Sequence, residues 1–212
     1  MSTKLGFDRL AKYYSMLEYI VFGNLLLRSR FALFSELKDL KHALIVGGGN
    51  GRLLKKLLEY FPDLKIDCLE QSPKMIEIAS SRLSISELKQ VSFIELDIFE
   101  FSTNNLYDCI FSPFFLDCFA EPGVNKIIAE LGLYLKKDGY WYDVDFYLPK
   151  SGFALARAKL YLKLLYLFFN FASSLKTKQL VNTELIFIKN NYHLVKSKTF
   201  SKQLLRTCIY KK

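Results

Sequence analysis

The chain has 212 residues, 51% of them hydrophobic and 16% aromatic, a composition too apolar for a disordered protein and of a size for one domain with a substantial core. The uncharged apolar stretch Leu164 to Leu175 covers 12 residues, short of the ~20 that a bilayer-spanning helix needs. The net charge of +9 is uneven: residues 1–149 hold 17 Lys+Arg against 20 Asp+Glu, whereas residues 150–212 hold 13 against 1. A basic last third attracts nucleic acid, anionic lipid or an acidic partner, or serves solubility alone.

Charged residues Lys4, Asp8, Arg9 and Lys12 precede any long apolar run, so the start does not read as a secretory signal, and the cytoplasm is the expected location. The cysteines Cys68, Cys109, Cys118 and Cys208 show no CxxC pair and no metal-type spacing, so they read as small buried apolar residues and no metal site is expected.

In chain order, residues 8–40 carry helical periodicity (Leu10, Tyr14, Leu17, Ile20, Val21), with Gly23-Asn24 as a break before a second helical segment from Leu25 to Leu40. His42 to Val46 is a short apolar run that stops at a glycine cluster, and Arg52 to Tyr60 then reads as a helix closed before Pro62. The beat repeats with a strand at Lys65 to Leu69 and a helix at Pro73 to Leu83, for which Ser72 is a suitable N-cap and Pro73 a suitable first residue. Further strands are expected at Val91 to Leu96 and Tyr107 to Ser112. A helix follows at Val124 to Leu135, then a strand at Gly139 to Phe146 entered through the turn Lys137-Asp138-Gly139. Phe153 to Leu175 is helical in composition and strongly aromatic; Thr183 to Asn190 reads as a last helix, and Val195 to Phe200 and Leu204 to Tyr210 as closing strands. Strands alternating with helices imply a doubly wound parallel α/β sheet with helices on both faces.

The strongest local signal is Leu44-Ile-Val-Gly-Gly-Gly-Asn-Gly51. In an open parallel sheet, ligands sit beyond the carboxyl ends of the strands at the switch point, where a glycine turn after the first strand lets a ligand reach the backbone. A dinucleotide GxGxxG would need glycine at 52, where Arg52 stands, so that fingerprint is disfavoured. Glu70 follows Gly51 by 19 residues at the end of the second strand, where a carboxylate can accept from a ribose diol. Glu95-Leu96-Asp97 ends the third strand, where an acid can accept from an adenine amino group and Ile98 can pack on the ring. After the fourth strand comes Ser112-Pro-Phe-Phe-Leu-Asp-Cys118, where an acceptor would meet a cofactor. Each of these also has a plain structural reading, as a tight turn, an exposed strand-end acid or a solvated loop.

Together they resemble the class I S-adenosylmethionine-dependent methyltransferases, through the glycine turn, Cys68-Leu-Glu-Gln-Ser-Pro-Lys-Met75, Phe93-Ile-Glu-Leu-Asp97, Tyr107-Asp-Cys-Ile-Phe111 and Leu133-Tyr-Leu-Lys-Lys-Asp-Gly139. The opening Phe7-Asp-Arg-Leu-Ala-Lys-Tyr-Tyr14 looks like the small-molecule, quinone-biosynthesis-like branch, in which an N-terminal helix lids the cofactor. The resemblance implies a Rossmann-like three-layer α/β/α fold with strand order 3-2-1-4-5-7-6, the last strand antiparallel. It divides one domain, residues 1–212, into a helical lid (1–40), a cofactor-binding core (41–149) and a basic aromatic cap with closing strands (150–212). The cofactor contacts it implies are Gly47, Gly48, Gly49, Asn50, Gly51, Glu70, Gln71, Met75, Asp97, Ile98, Ser112 and Pro113. For the acceptor it points to Tyr13, Tyr14, Phe114, Phe115 and Asp145. One departure is Ile45, where many members carry an acid two positions before the first glycine.

Methyl transfer is an in-line displacement that needs alignment and dryness, with no obligatory catalytic side chain. For an acidic nucleophile a base can help: Asp117 is the first choice, ahead of Asp143 and Asp145, and each reads equally well as a cap or loop carboxylate. His42, at the opposite end of the first strand, and His193, in the basic tail, are poor candidates. The expected reaction is methyl transfer from S-adenosylmethionine to a small apolar or aromatic acceptor. The aromatic stretch Leu160 to Phe171, flanked by Lys159, Lys163, Lys176 and Lys178, is read as a cap in the domain or a peripheral membrane contact for a lipophilic acceptor. A nucleic-acid methyltransferase is disfavoured by the lack of an RNA-binding motif, and a non-catalytic S-adenosylmethionine-binding protein is the reading motivated by Ile45. The oligomeric state is not legible.

Overall fold

Residues 24–147, 181–201 and 204–212 are described by the computed structural model. The expected Tyr13 and Tyr14 contacts, and the aromatic segment from Phe153 to Leu175, lie outside the described residues. The strands are β1 (His42–Val46), β2 (Lys65–Leu69), β3 (Val91–Ile94), β4 (Tyr107–Pro113), β5 (Leu135–Phe146), β6 (His193–Phe200) and β7 (Leu205–Lys211). They form one sheet in the order β3-β2-β1-β4-β5-β7-β6. The pairs from β3 through β5 are parallel, and β7 runs antiparallel to both β5 and β6. This is the topology that the family resemblance implies.

The strands are apolar on both sides because both sides are covered. Successive side chains of a strand alternate in direction, and in β1 Ala43 and Ile45 join one core while Leu44 and Val46 join the other. All four are completely buried. The first core is closed by the segment that follows α1 (Leu25–Arg30), with Leu33 and the 3-10 turn Phe34–Glu36, by α2 (Arg52–Tyr60) and by α3 (Pro73–Ser80). The second is closed by α5 (Glu121–Leu131) and α6 (Thr183–Lys189), with the short α4 (Ile85–Leu88) leading into β3. Leu54, Leu57 and Leu58 place one stripe of α2 against the sheet, and Val124, Ile127, Ile128 and Leu131 do the same for α5. Wholly burying a leucine contributes roughly 1.5–3 kcal/mol, so these two stripes hold the helices in register over the strand ends.

Several element boundaries differ from the sequence expectation, by one or two residues at β3, β4, β6, β7 and the last helix and by more at four places. The second N-terminal helix stops at Arg30 rather than Leu40. There the sheet competes for its last carbonyls: the Thr207 hydroxyl donates to Ser29 O at 2.7 Å and the Tyr142 hydroxyl to Arg30 O at 3.1 Å. The helix expected over Pro73 to Leu83 ends at Ser80, and α4 restarts on a reciprocal capping box between Ser84 and Glu87. The helix expected from Val124 to Leu135 runs instead over Glu121–Leu131, with Pro122 in its first turn. The turn Lys137-Asp138-Gly139 does not precede β5 but lies within it: β5 begins at Leu135, and its register against β4 shifts between Tyr107 and Cys109 while Asp138 takes φ +65°.

Candidate active site

Strand order reverses at β1, with β2 and β3 added on one side of it and β4 and β5 on the other, and a cleft opens beyond the carboxyl ends of these parallel strands, the position that this topology creates. Its floor is the glycine turn. Gly49 has φ +56°, and a Cβ there would meet nothing closer than Gly47 O at 3.9 Å, so its glycine identity serves the bend and an open approach to the backbone. Gly51 has φ +77° and caps α2, and a Cβ on it would come within 2.6 Å of Ala79 Cα in α3. That glycine serves the close seating of α3 and does not line the cleft.

Glu70 joins the turn to the next helix. Oε2 accepts from Gly49 N at 2.9 Å and Oε1 from Ser72 N at 3.0 Å. An ionised carboxylate offers about four acceptor positions, and this one lines the cleft, where a diol could reach it. Ser72 in turn caps α3 by accepting from Met75 N, with Pro73 as first residue, which brings Met75 into the wall. At the tip of β3 Asp97 lies in the wall; its Oδ2 accepts from Gln71 Nε2 at 2.9 Å and its Oδ1 from Phe99 N at 2.9 Å. Leu96 and Ile98 add an apolar shelf beside it.

The opposite wall is aromatic. Phe114 follows β4 with φ +53°, held there by its N–H donating to Val144 O at 2.6 Å. Its ring lies 5.6 Å from Phe146 and 5.0 Å from the Arg30 guanidinium carbon. Phe115 rests on Gly47, where a Cβ would be 2.6 Å from its ring, and packs at a 58° tilt against Phe119, 5.1 Å between ring centroids.

The structure therefore brings Gly47, Gly48, Gly49, Asn50, Glu70, Gln71, Met75, Asp97, Ile98, Pro113, Phe114 and Phe115 to one cleft. Four expected residues are not in its wall. Gly51 is one. Ser112 is completely buried beneath it, donating to Asp143 Oδ1 at 2.7 Å and accepting from Trp141 Nε1 at 2.9 Å. Asp145 is buried and its two oxygens accept from Asp117 N (3.0 Å) and Phe146 N (2.7 Å), in the wall of a separate cavity with Glu184 and Arg206. Asp117 interacts with this same buried group rather than with the cleft. Burial pushes its carboxyl up to about 6 and that of Asp143 up to about 7, and Asp145, faced by both, is raised well above the usual carboxylate range. Ser112 and Asp145 alternate with inward apolar positions on strands whose two faces are both covered, so a residue at a strand's end can be turned under the cleft rather than into it. Cys118 does line the cleft, and burial and the neighbouring Asp117 raise its thiol well above the ordinary value, which favours the protonated form.

Arg30 in the wall was not legible from sequence: no spacing links the end of α1 to the glycine turn. His42 stands at the amino end of β1, away from the cleft, with Nε2 3.2 Å from Asp67 Oδ2, which also accepts from the Tyr107 hydroxyl at 2.7 Å. Among the described residues, no His/Cys/Asp/Glu group could hold a metal ion.

Residues 43–139 match the family described as "Methyltransferase domain". The chain carries a class I S-adenosylmethionine-dependent methyltransferase domain. The matched stretch runs from β1 to the irregular start of β5 and contains the glycine turn, Glu70, Asp97 and the Phe114-Phe115 pair, while Arg30 lies outside it. Over 96 residues the chain is 39% identical to a malonyl-[acyl-carrier protein] O-methyltransferase of Acetivibrio thermocellus, covering 44% of this chain and 31% of that protein. It is 27% identical over 119 residues to polyamine aminopropyltransferase 2 of Bacillus anthracis, covering 50% and 33% respectively. The chain thus matches about a third of the length of these curated relatives. The fold of the methyltransferase domain is also that of an O-methyltransferase family 2 protein from Planctomyces limnophilus solved with apigenin. There the TM-score is 0.72 at 15% identity, over 95% of this chain and 61% of that one.

Proposed function

We propose that this chain transfers the methyl group of S-adenosylmethionine to an oxygen of a small acceptor with an apolar or aromatic body. The observation that carries the donor half is the Glu70 bridge: one carboxylate touches both the glycine turn and the start of α3, so a single nucleoside can reach all three. The cleft fits the donor in its parts, with an open backbone at Gly49, acceptors at Glu70 and Asp97 for the ribose and adenine, and an apolar shelf at Leu96 and Ile98. When bound, the sulfonium supplies an electrophilic methyl carbon, and the acceptor oxygen takes that carbon as the carbon–sulfur bond breaks to leave a thioether. The protein's part is to place the nucleophile about 3 Å from the methyl in line with the leaving sulfur and to exclude water. Phe114, Phe115 and Phe119 line the cleft with Phe146 packed behind Phe114, an arrangement suited to a flat or greasy acceptor. Support for oxygen as the methylated atom comes from the relatives and structural neighbours named as O-methyltransferases.

Among the described residues, no helix is long and apolar enough to cross a membrane. Exposed Leu185 and Ile188 on α6 lie beside Lys189, and Lys196 and Lys198 are exposed on the edge strand β6, a basic and apolar margin that suits peripheral contact with anionic lipid around a lipophilic acceptor. Flotation with acidic and neutral liposomes checks this; association that is absent or insensitive to salt removes it. The donor reading is tested by calorimetric titration of S-adenosylmethionine and NAD into the protein and its Glu70→Ala variant. Binding of the former alone, weakened by the substitution, and formation of S-adenosylhomocysteine with phenolic or carboxylic acceptors are expected. Binding of NAD instead overturns it.

A further inference from the structure

The carboxyl end of β5 departs from the pattern of the rest of the sheet. A strand with both faces covered ordinarily carries apolar side chains, yet Asp143 and Asp145, alternate residues on one face of β5, are carboxyls only 3% and 4% exposed. In the antiparallel pair with β7 they stand opposite Cys208 and Arg206. With Glu184 of α6 these residues wall a cavity of about 240 Å³ whose apolar part is Phe146, Tyr147 and Val181, and which shares no wall residue with the cleft.

The polar groups of this cavity are satisfied among themselves, with one exception. The Arg206 guanidinium is paired with Glu184 and donates to Ser197 Oγ at 3.3 Å. The Tyr210 hydroxyl lies beside the Cys208 thiol, and burial raises both, which favours their protonated forms. Asp145 accepts from the Asp117 and Phe146 N–H groups, one on each oxygen. Asp143 Oδ1 accepts from the Ser112 hydroxyl, which itself accepts from Trp141 Nε1. Asp143 Oδ2 accepts from no described residue, in a side chain that lines the cavity. A buried acceptor left without a donor is costly, and more so when it carries charge.

We propose that this cavity is a second ligand site, which takes the ammonium end of a short primary alkylamine on Asp143 and its hydrocarbon body on the Phe146, Tyr147 and Val181 wall. A primary ammonium supplies the N–H donor that Oδ2 lacks, and its charge favours the ionised carboxyl. A metal ion suits the cavity poorly: among the described residues no His/Cys/Asp/Glu group could hold one. Asp143 is faced by Ser112 from β4, by Asp117 from the 3-10 turn Leu116–Cys118, by Asp145 on its own strand, by Arg206, Cys208 and Tyr210 from β7 and by Glu184 from α6. Burial first, and then the Asp117 charge, raise its carboxyl to about 7, against the pull of the Ser112 hydrogen bond and the Arg206 charge. An ammonium that binds the ionised form therefore releases the Asp143 proton to solvent.

The test is calorimetric titration of the full chain with n-butylammonium, tetramethylammonium and butan-1-ol at constant ionic strength. Saturable binding of n-butylammonium alone is expected, about tenfold tighter at pH 8 than at pH 6, a range over which an alkylamine stays charged. Asp143→Asn, close to isosteric, should weaken it by about tenfold or more. If that variant does not fold, amide shifts of the unsubstituted protein decide: changes on adding n-butylammonium at Asp143, Cys208 and Tyr210 support the site, and changes confined to other residues overturn it. Equal binding of tetramethylammonium or butan-1-ol, an affinity independent of pH, or the absence of saturation also overturns it.

Discussion

The two ends of the cleft are built on different principles. At the tips of β1, β2 and β3 the contacts are backbone N–H groups and acids held by short local sequence, as where Glu70 bridges Gly49 and Ser72. At the tips of β4 and β5 the wall is aromatic and the polar residues are turned beneath it, into a set formed by the buried Ser112, Asp143 and Asp145 and the half-buried Asp117. On the proposed function the first end receives the nucleoside and the second, hydrophobic end the acceptor, over a carboxyl cluster that serves the fold. The largest effect that this contrast predicts is on Glu70→Ala, which removes the turn-to-helix bridge and the ribose acceptors together. With hydrogen bonds to charged groups worth about 1.5–3 kcal/mol each, the affinity for S-adenosylmethionine should fall by roughly 100-fold or more by calorimetry. A loss under about threefold would show that the nucleoside end is not what it is taken for.

Within the glycine turn the contrast can be sharpened. Gly51→Ala forces a Cβ to within 2.6 Å of the α3 backbone at a positive φ, whereas Gly49→Ala meets open space and pays only for its φ. Chemical denaturation should show a loss of about 2–4 kcal/mol for Gly51→Ala and about 1 kcal/mol for Gly49→Ala. The order should invert for donor affinity, since Gly49 alone of the two lines the cleft. Equal effects on both properties would dissolve the distinction between a packing glycine and a binding one.

The buried carboxyls give the acceptor end a pH signature. Burial and mutual repulsion raise the folded-state values of Asp117 to about 6 and Asp143 to about 7 against an unfolded value of ~3.9, with Asp145 raised further. Because the native state holds protons that the unfolded chain releases, this contribution is complete below the unfolded value and is lost as pH rises through the folded ones. The melting temperature should therefore decline from pH 5 to pH 8, with a loss on the order of 2–4 kcal/mol. Asp143→Asn should flatten the decline, and a melting temperature that rises over that interval would contradict the burial of these groups as acids.

What was legible in the sequence follows the same division. β1 to β3 and the turn could be read because their signals are local: an apolar run, glycines at 47, 49 and 51, an N-cap serine before a proline. The strand order came through family resemblance, since nothing local dictates that β7 inserts between β5 and β6. At the β4 and β5 tips Ser112, Asp117 and Asp145 lie outside the cleft wall, because both faces of a central strand are covered and alternation alone does not say which end residues clear the helices. Arg30 was invisible for the opposite reason. Its place depends on Tyr142 and Thr207, distant in sequence, which end α1 early and aim its last side chain at the cleft.

The smallest predicted effect is on the residue that sequence position singled out as a base. Asp117 has its backbone N–H on Asp145 and its carboxyl beside the Cys118 thiol, 3.6 Å from the sulfur, outside the cleft wall. A general base in the transition state contributes about 10²–10⁴-fold. Asp117→Asn keeps the shape and removes the charge, so with a phenolic acceptor kcat should change by less than about threefold, while the pH dependence of stability shifts as one of the coupled carboxyls is lost. A fall of about 100-fold in kcat with KM unchanged would place Asp117 at the reacting oxygen after all. The carboxyl cluster would then belong to the chemistry, and the separation between a recognising end and a packing end would fail at the one residue where both meet.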